Sequence, residues 1–219
     1  HWGLPRLELV GAGYATLITR ILIAVVLLLV VLYHKTFRPF FIEHKEQWKI
    51  NFATWNKLLY IGIPSSLQVA MEAGAFALSG IIVGTIGVMD QAAHQIALSI
   101  ASTTFMVTLG ISQAGSIRIS NAYGQNNWDK IGKIGKSTIK IGFVYGAICV
   151  LGFILFRDQL PYIFNDDVNV VSLTAYLLLF AAIFQISDSI QAVSAGLLRG
   201  IKDVRIPTIY IALAYWVIG

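Results

Sequence analysis

The sequence predicts an all-α integral membrane protein, a polytopic bundle of long apolar helices, and three observations carry that reading. Of the 219 residues, 57% are hydrophobic and only 12% are charged, and the mean hydropathy is +0.73. Soluble domains carry roughly a quarter charged residues, so this much apolar surface has no place in water. The apolar residues also gather in blocks, most of them long enough to cross a bilayer, which takes about 20 helical residues. Finally, Lys and Arg crowd into alternate connections between those blocks.

Five complete blocks can be placed, at about 11–33, 58–87, 92–117, 138–156 and 168–198, followed by a sixth at 206–219 that is cut short. Most are continuous rather than alternating, which favours helices over barrel strands. The blocks near 30 residues exceed one membrane thickness, so they require tilt or helical extensions into water. The connection 34–57 holds Lys35, Arg38, Lys45, Lys49 and Lys57. The connection 118–137 holds Arg118, Lys130, Lys133 and Lys136, with Lys140 just inside the next block, and 199–205 holds Arg199, Lys202 and Arg205. The alternate connections carry Asp90 alone, or Arg157 against Asp158, Asp166 and Asp167. Thirteen of sixteen basic residues thus fall on one side, which the positive-inside rule makes cytoplasmic. The net charge of +5 comes from these loops, and a spread of cations flanking membrane helices does not describe a nucleic-acid surface.

Small residues four apart, Ala73 and Ala77, Gly80 and Gly84, and Gly142 and Gly146, mark candidate helix contacts. The lone Cys149 excludes a disulfide framework within the chain. "GKIGKST" at 132–138 resembles a phosphate loop, but the pattern needs Gly where Lys130 stands, and no strand precedes it. His1, His34, His44 and His94 lack second ligands at metal spacing. The chain opens at His1 and stops at Gly219 inside an apolar run, so it is expected to be an interior piece of a longer protein.

Two carboxylates lie well inside helices. Glu72 falls about 14 residues into its block, and Asp188 about 10 residues before the end of its own. At ~1.5 Å per residue both sit near mid-membrane. A charge at that depth costs about 2.5–3.5 kcal/mol or more, so each acid is expected to face a polar cavity. Their faces agree. Gln68, Ser65, Phe76 and Ser79 flank Glu72 at helical spacing, and Phe184, Gln185, Gln191 and Ala181 flank Asp188. The third block adds Gln91, Gln95, Ser99, Ser102 and Thr103. The only interior base is Arg20, in the first block, so a buried ion pair explains the acids poorly. A carboxyl group out of water exchanges a proton near neutral pH, whereas a partly hydrated one with amide oxygens beside it can hold Na⁺. Either ion gains about 2.3 kcal/mol per charge for each 100 mV of potential, enough to drive a competing solute uphill. Composition alone does not separate such antiport from uniport or a channel.

The segments "GIPSSLQVAMEAGAF", "AAHQIALSI", "GISQAGSIRISNAYGQ" and "SDSIQAVSAGLLRGIKDVRIP" together resemble the multidrug and toxic compound extrusion (MATE) transporters, in the family's order and over nearly the whole chain. The resemblance implies two six-helix lobes around a central cavity. Residues 1–33 would end the first lobe with its sixth helix, 34–57 would be the cytoplasmic link, and 58–219 would hold helices seven to eleven of the second lobe, truncated. About six of twelve helices would be present. The implied activity is export of cationic, amphipathic drugs across the cytoplasmic membrane in exchange for Na⁺ or H⁺. No enzyme chemistry and no cofactor beyond the coupling ion are implied.

In NorM-like members a Glu in helix seven and an Asp in helix ten carry the site, and Glu72 and Asp188 match them. By resemblance these two would hold the coupling cation (Na⁺ being the one metal implied) and compete with the substrate. Gln68, Phe76, Phe184, Gln185 and Gln191 would line the cavity. Phe184 stands where some members have Tyr, which removes a hydroxyl ligand. Asp167 matches a further outer acid in some members and reads equally well as a solvated loop acid. Arg118 and Arg199 fall in motifs at cytoplasmic helix ends. The implied partners are membrane lipid, cationic small molecules and the missing first lobe, with no nucleic acid. Two alternatives remain: a lipid-linked oligosaccharide flippase of the same superfamily, which would want a cationic cavity, and a membrane scaffold that transports nothing.

Overall fold

A computed structural model describes residues 8–35 and 51–218, all helix, turn or short connection. Basic residues Arg38, Lys45 and Lys49 of the expected inter-lobe link, together with His1 and His44, lie outside the described residues. The chain divides into two units, 1–55 and 56–219.

In the first unit, α1 spans Glu8–Tyr33. Its 24-residue stretch Val10–Tyr33 is long and apolar enough to cross a membrane, and none of its side chains is buried. A helix that is apolar all round needs lipid or other protein about it. Thr16 and Thr19 donate to the carbonyls of Ala12 and Ala15, which satisfies both hydroxyls within the helix.

The next helices are α2 (Phe52–Ile86), α3 (Val88–Gly124), α4 (Trp128–Phe156) and α5 (Val168–Gly200). Each is long and apolar enough to span a membrane. A 3-10 turn, Leu160–Ile163, precedes α5, and α6 (Arg205–Leu213) runs on through a π-helical turn, Ala214–Ile218. These are the helices of a multi-pass membrane protein.

Their ends depart from the expected blocks. The second block begins at Phe52 rather than 58, the third covers Val88–Gly124 rather than 92–117, and the fourth starts at Trp128 rather than 138. Helices of 29 to 37 residues run ~45–55 Å, past the ~30 Å hydrocarbon core, so the excess is the expected extension into water. Hydropathy finds the lipid-facing part of a helix, whereas polar side chains and caps set its ends. The expected 118–137 connection therefore shrinks to residues 125–127. There Asn126 takes φ 53, and the N–H groups of Asn126 and Asn127 return to the carbonyls of Tyr123 and Ala122. That pair of bonds closes α3 as a Schellman turn, and Asn127 Oδ1 accepts from Lys130 N to start α4.

Helices α3, α4 and α5 form the core. One apolar cluster joins Ile100, Phe153, Leu178, Ala181 and Ala182, and a second joins Ile119, Ala122, Ile134, Val193 and Leu197. Small residues let the backbones close. A Cβ at Gly142 would meet Val193, at Gly146 Ser189 and Ile186, at Gly196 Ser112, and at Gly200 Ser116 and Ile119. Of the small pairs read from the sequence, only Gly142 and Gly146 serve this purpose. A Cβ at Gly80 meets nothing within 4 Å, one at Gly84 meets the Gln91 side chain, and Ala73 and Ala77 are exposed. The Gly196–Gly200 pair on α5 was not anticipated. Polar bonds cross the same seams: Tyr145 Oη donates to Thr104 O at 2.9 Å and Ser112 Oγ to Ala192 O at 2.7 Å.

Helix α2 stands away from this core and ties instead to α6. Gln68 Nε2 donates to Val204 O at 3.0 Å and to Thr208 Oγ1 at 2.8 Å. Pro64, inside α2, and Pro207, in the first turn of α6, lie beside this link. Pro207 lacks an N–H where a helix start would leave one unbonded anyway.

Candidate substrate cavity

The space left between α2 and the core is a cavity of about 250 Å³. Helix α2 contributes Val69, Glu72, Ala73 and Phe76, one stripe at i, i+3, i+4 and i+7. From α5 come Phe184, Gln185 and Asp188, a single turn. The α3 wall runs Leu98, Ala101, Ser102, Phe105, Met106 and Leu109, again at helical spacing. The wall is therefore mostly apolar and aromatic, with two carboxylates, one amide and one hydroxyl.

Glu72 and Asp188 are both half-buried on this wall, and no Lys or Arg lines it. Among the described residues neither acid forms an ion pair, the one such pair being Arg157 with Asp158 at 3.5 Å. Two like charges share a cavity with no fixed counter-charge. A mobile cation is the species that would balance them.

Gln185 is buried, and its Nε2 donates to Thr104 Oγ1 at 3.3 Å, so the amide is anchored to the core while it borders the cavity. A second pocket, also about 250 Å³, adjoins the first through Phe76, Phe184 and Asp188. Gln191 lies on this second wall with Ser187 and Tyr215. The Phe76 and Tyr215 rings meet edge-to-face, 6.4 Å between centroids.

Two residues read from the sequence lie elsewhere. Gln68 is buried but is not on the cavity wall, because its amide is taken up by the Val204 carbonyl and the Thr208 hydroxyl. It fastens α2 to α6. Asp167 is the N-cap of α5, accepting from Asn169 N at 2.9 Å, and is exposed. It stands ~30 Å along the helix from Asp188. Of the third-block polar residues, only Ser102 reaches the wall. Ser99 and Thr103 donate to the carbonyls of Gln95 and Ser99 one turn back, and Gln91 packs on Gly84.

Sequence reasoning missed the α3 wall and Tyr215. The α3 signal was an apolar stripe through Phe105 and Met106, which polarity along the helix does not reveal. Tyr215 carried no signal, since its block was cut short and its π-helical turn is not readable from hydropathy. Among the described residues, no group of three His, Cys, Asp or Glu side chains could hold a metal ion.

A protein-family model, MatE, matches residues 64–219. The chain belongs to the MatE family. Both cavity acids and every residue lining the cavity fall within the MatE match, which opens at Pro64 in α2. Similarity to individual proteins extends over α1 as well. The chain is 35% identical over 222 residues to the "probable multidrug resistance protein NorM" of Mesorhizobium japonicum, covering 99% of this chain and 47% of that protein. Proteins of the same name from Rhodopseudomonas palustris and Rhizobium meliloti are 36% and 32% identical, over 100% of this chain and 47% and 48% of theirs. The chain thus spans about half the length of the relatives it matches.

Proposed function

We propose that the full-length protein containing this MatE chain is a cation-coupled antiporter that exports cationic, amphipathic organic molecules across the inner membrane. One observation carries the reading: Glu72 and Asp188 share an apolar, aromatic cavity that no basic side chain lines. An organic cation gains from the carboxylates and from the faces of Phe76, Phe105 and Phe184. Na⁺ or H⁺ bound at the same acids removes the charge that holds it. The two species therefore exclude each other, and exclusion is what couples their movements. The adjoining pockets together reach the ~300–1,000 Å³ of drug-sized sites. The names of the relatives agree with such a cargo.

In this reading residues 1–33 end a first lobe, 34–57 link the lobes in the cytoplasm, and 58–219 belong to the second lobe. The basic stretches 34–57, 118–137 and 199–205 face the cytoplasm. Transport is the rocking of one lobe against the other, so the chain alone does not transport. A flippase for anionic pyrophosphate cargo fits poorly, because this wall offers acids.

The test is efflux of a cationic dye from everted vesicles carrying the full-length protein, with Na⁺ and pH gradients imposed separately. One gradient drives efflux in the wild type, and Glu72→Gln or Asp188→Asn abolishes that dependence at unchanged protein level. Intact efflux and ion dependence in both variants overturns the proposal.

A further inference from the structure

A groove in the second unit lies along the first turns of α2, ahead of the stretch that carries Glu72. It has a volume of about 660 Å³ and is lined by the first turns of α2 and the α5–α6 connection. Three cations meet there: Lys57, Lys202 and Arg205. All three are exposed, and none pairs with a carboxylate among the described residues. Asp203, their neighbour in sequence, is not on the groove wall.

The cations are held in place by features that packing alone does not require. Lys202 takes φ 66, a left-handed position that glycine usually fills. It is the residue after the α5 C-cap, and the N–H groups of Lys202 and Asp203 return to the Arg199 and Leu198 carbonyls in a Schellman turn. The Lys202 ammonium lies 5.8 Å from the centre of the Tyr123 ring, and the Arg205 guanidinium carbon 4.5 Å from that of Tyr60. Between the charges the wall is largely apolar, made of Leu59, Tyr60, Ile61, Ile63 and Pro64, with Asn56 the one uncharged amide. Leu59, Tyr60 and Ile63 are also exposed on a helix long and apolar enough to span a membrane, a surface suited to lipid.

From this we infer a site for the headgroup of an anionic phospholipid, with Lys57, Lys202 and Arg205 around its phosphate and the Leu59–Pro64 wall along its glycerol and first acyl carbons. A free phosphate would use the three charges and leave the apolar wall idle. A zwitterionic lipid would use the wall and leave net positive charge. Basic pockets between membrane helices are suited to headgroups of this kind. The inference does not depend on what the protein transports.

Native mass spectrometry of the purified full-length protein, titrated with cardiolipin or with phosphatidylethanolamine, tests it. Cardiolipin is retained and phosphatidylethanolamine is not. Each charge removed lowers cardiolipin retention roughly fivefold, so Lys202→Gln with Arg205→Gln falls well below Lys57→Gln alone. Lys133→Gln with Lys136→Gln, an equal loss of charge on the exposed side of α4, leaves retention unchanged. Lys57→Gln lies on an exposed turn and keeps the test valid if the double variant folds poorly. Equal losses in the α4 control would mean diffuse attraction and overturn the site. Full displacement of cardiolipin by millimolar inorganic phosphate would overturn the lipid assignment.

Discussion

The α3–α4–α5 core and the α2–α6 flank of the cavity follow opposite packing rules, although α3 and α5 pack in the core and also line the cavity. In the core, glycines bring backbones together until a single added carbon would collide. On the flank, α2 is joined to α6 by the Gln68 amide, a bond from Thr208 Oγ1 to the Pro64 carbonyl and ring contacts, and space remains on its inner side. Adjacent residues show the boundary. Ser189 is fully buried, 3.3 Å from Thr108 Oγ1, whereas Asp188 borders the cavity. The difference teaches where ionisable groups are tolerated in a membrane bundle: on the wall that packing leaves open, one residue from a seam that could not admit them.

The largest effect should come from filling the seam. A Cβ at Gly196 would run into Ser112 Oγ and approach its carbonyl oxygen at 3.0 Å. Overpacking of this kind costs about 1–3 kcal/mol, and a larger side chain more. Gly196→Ala in the full-length protein should lower the thermal midpoint in detergent by several degrees, and Gly196→Leu should leave little folded protein. A melting point unchanged by Gly196→Ala would mean that the core is looser than its geometry indicates.

Next comes the tie within the flank, between α2 and α6. Gln68→Ala removes both bonds to α6, and hydrogen bonds between membrane helices are worth ~0.6 kcal/mol on average. A loss of ~1 kcal/mol is expected, read as a lower midpoint, with the ion dependence of efflux retained. That pairing separates a fastener from a cavity contact. Loss of ion dependence at unchanged stability would return Gln68 to the cavity.

Much of this fold was legible because lipid enforces it. Apolar runs located every spanning helix among the described residues. The helix ends were not legible, since Asn51, Asn126 and Asn127 set them by capping and by backbone conformation rather than by hydropathy. The site divided in the same way. Glu72, Phe76, Phe184, Gln185 and Asp188 fall on one wall, as spacing along their helices allows. Gln68 shares that spacing, yet its long side chain reaches the acceptors at the start of α6. Periodicity gives the face of a helix but not the partner that a flexible amide finds. The α3 wall was hidden for a related reason: hydroxyls such as Ser99 and Thr103 satisfy themselves on their own helix, so polarity there does not mark the cavity.

Asp188→Asn sharpens the comparison by sign. Burying a charge in a membrane helix costs about 2.5–3.5 kcal/mol, and the amide avoids that cost. Unlike Gly196→Ala, this change should hold or raise the melting midpoint of the full-length protein. A marked drop would show that the carboxylate holds the bundle together and would count against a cavity role.

The smallest effect is expected at Tyr215, where the flank meets the second pocket. Its ring packs edge-to-face on Phe76, and Tyr215→Phe keeps that contact while removing only the hydroxyl. An aromatic pair contributes about 0.5–1.5 kcal/mol beyond its area, so stability should move by less than Tyr215→Ala would move it. The hydroxyl itself shares a pocket with Asp188 and Gln191, beside the position where Phe184 offers none. If Tyr215 supplies a polar contact to a cation there, Tyr215→Phe weakens dye or ion affinity a few-fold at unchanged melting temperature. Equal affinities for Tyr215→Phe and wild type, with a lower affinity for Tyr215→Ala, would leave the residue a packing partner of Phe76 and deny its hydroxyl a cation contact.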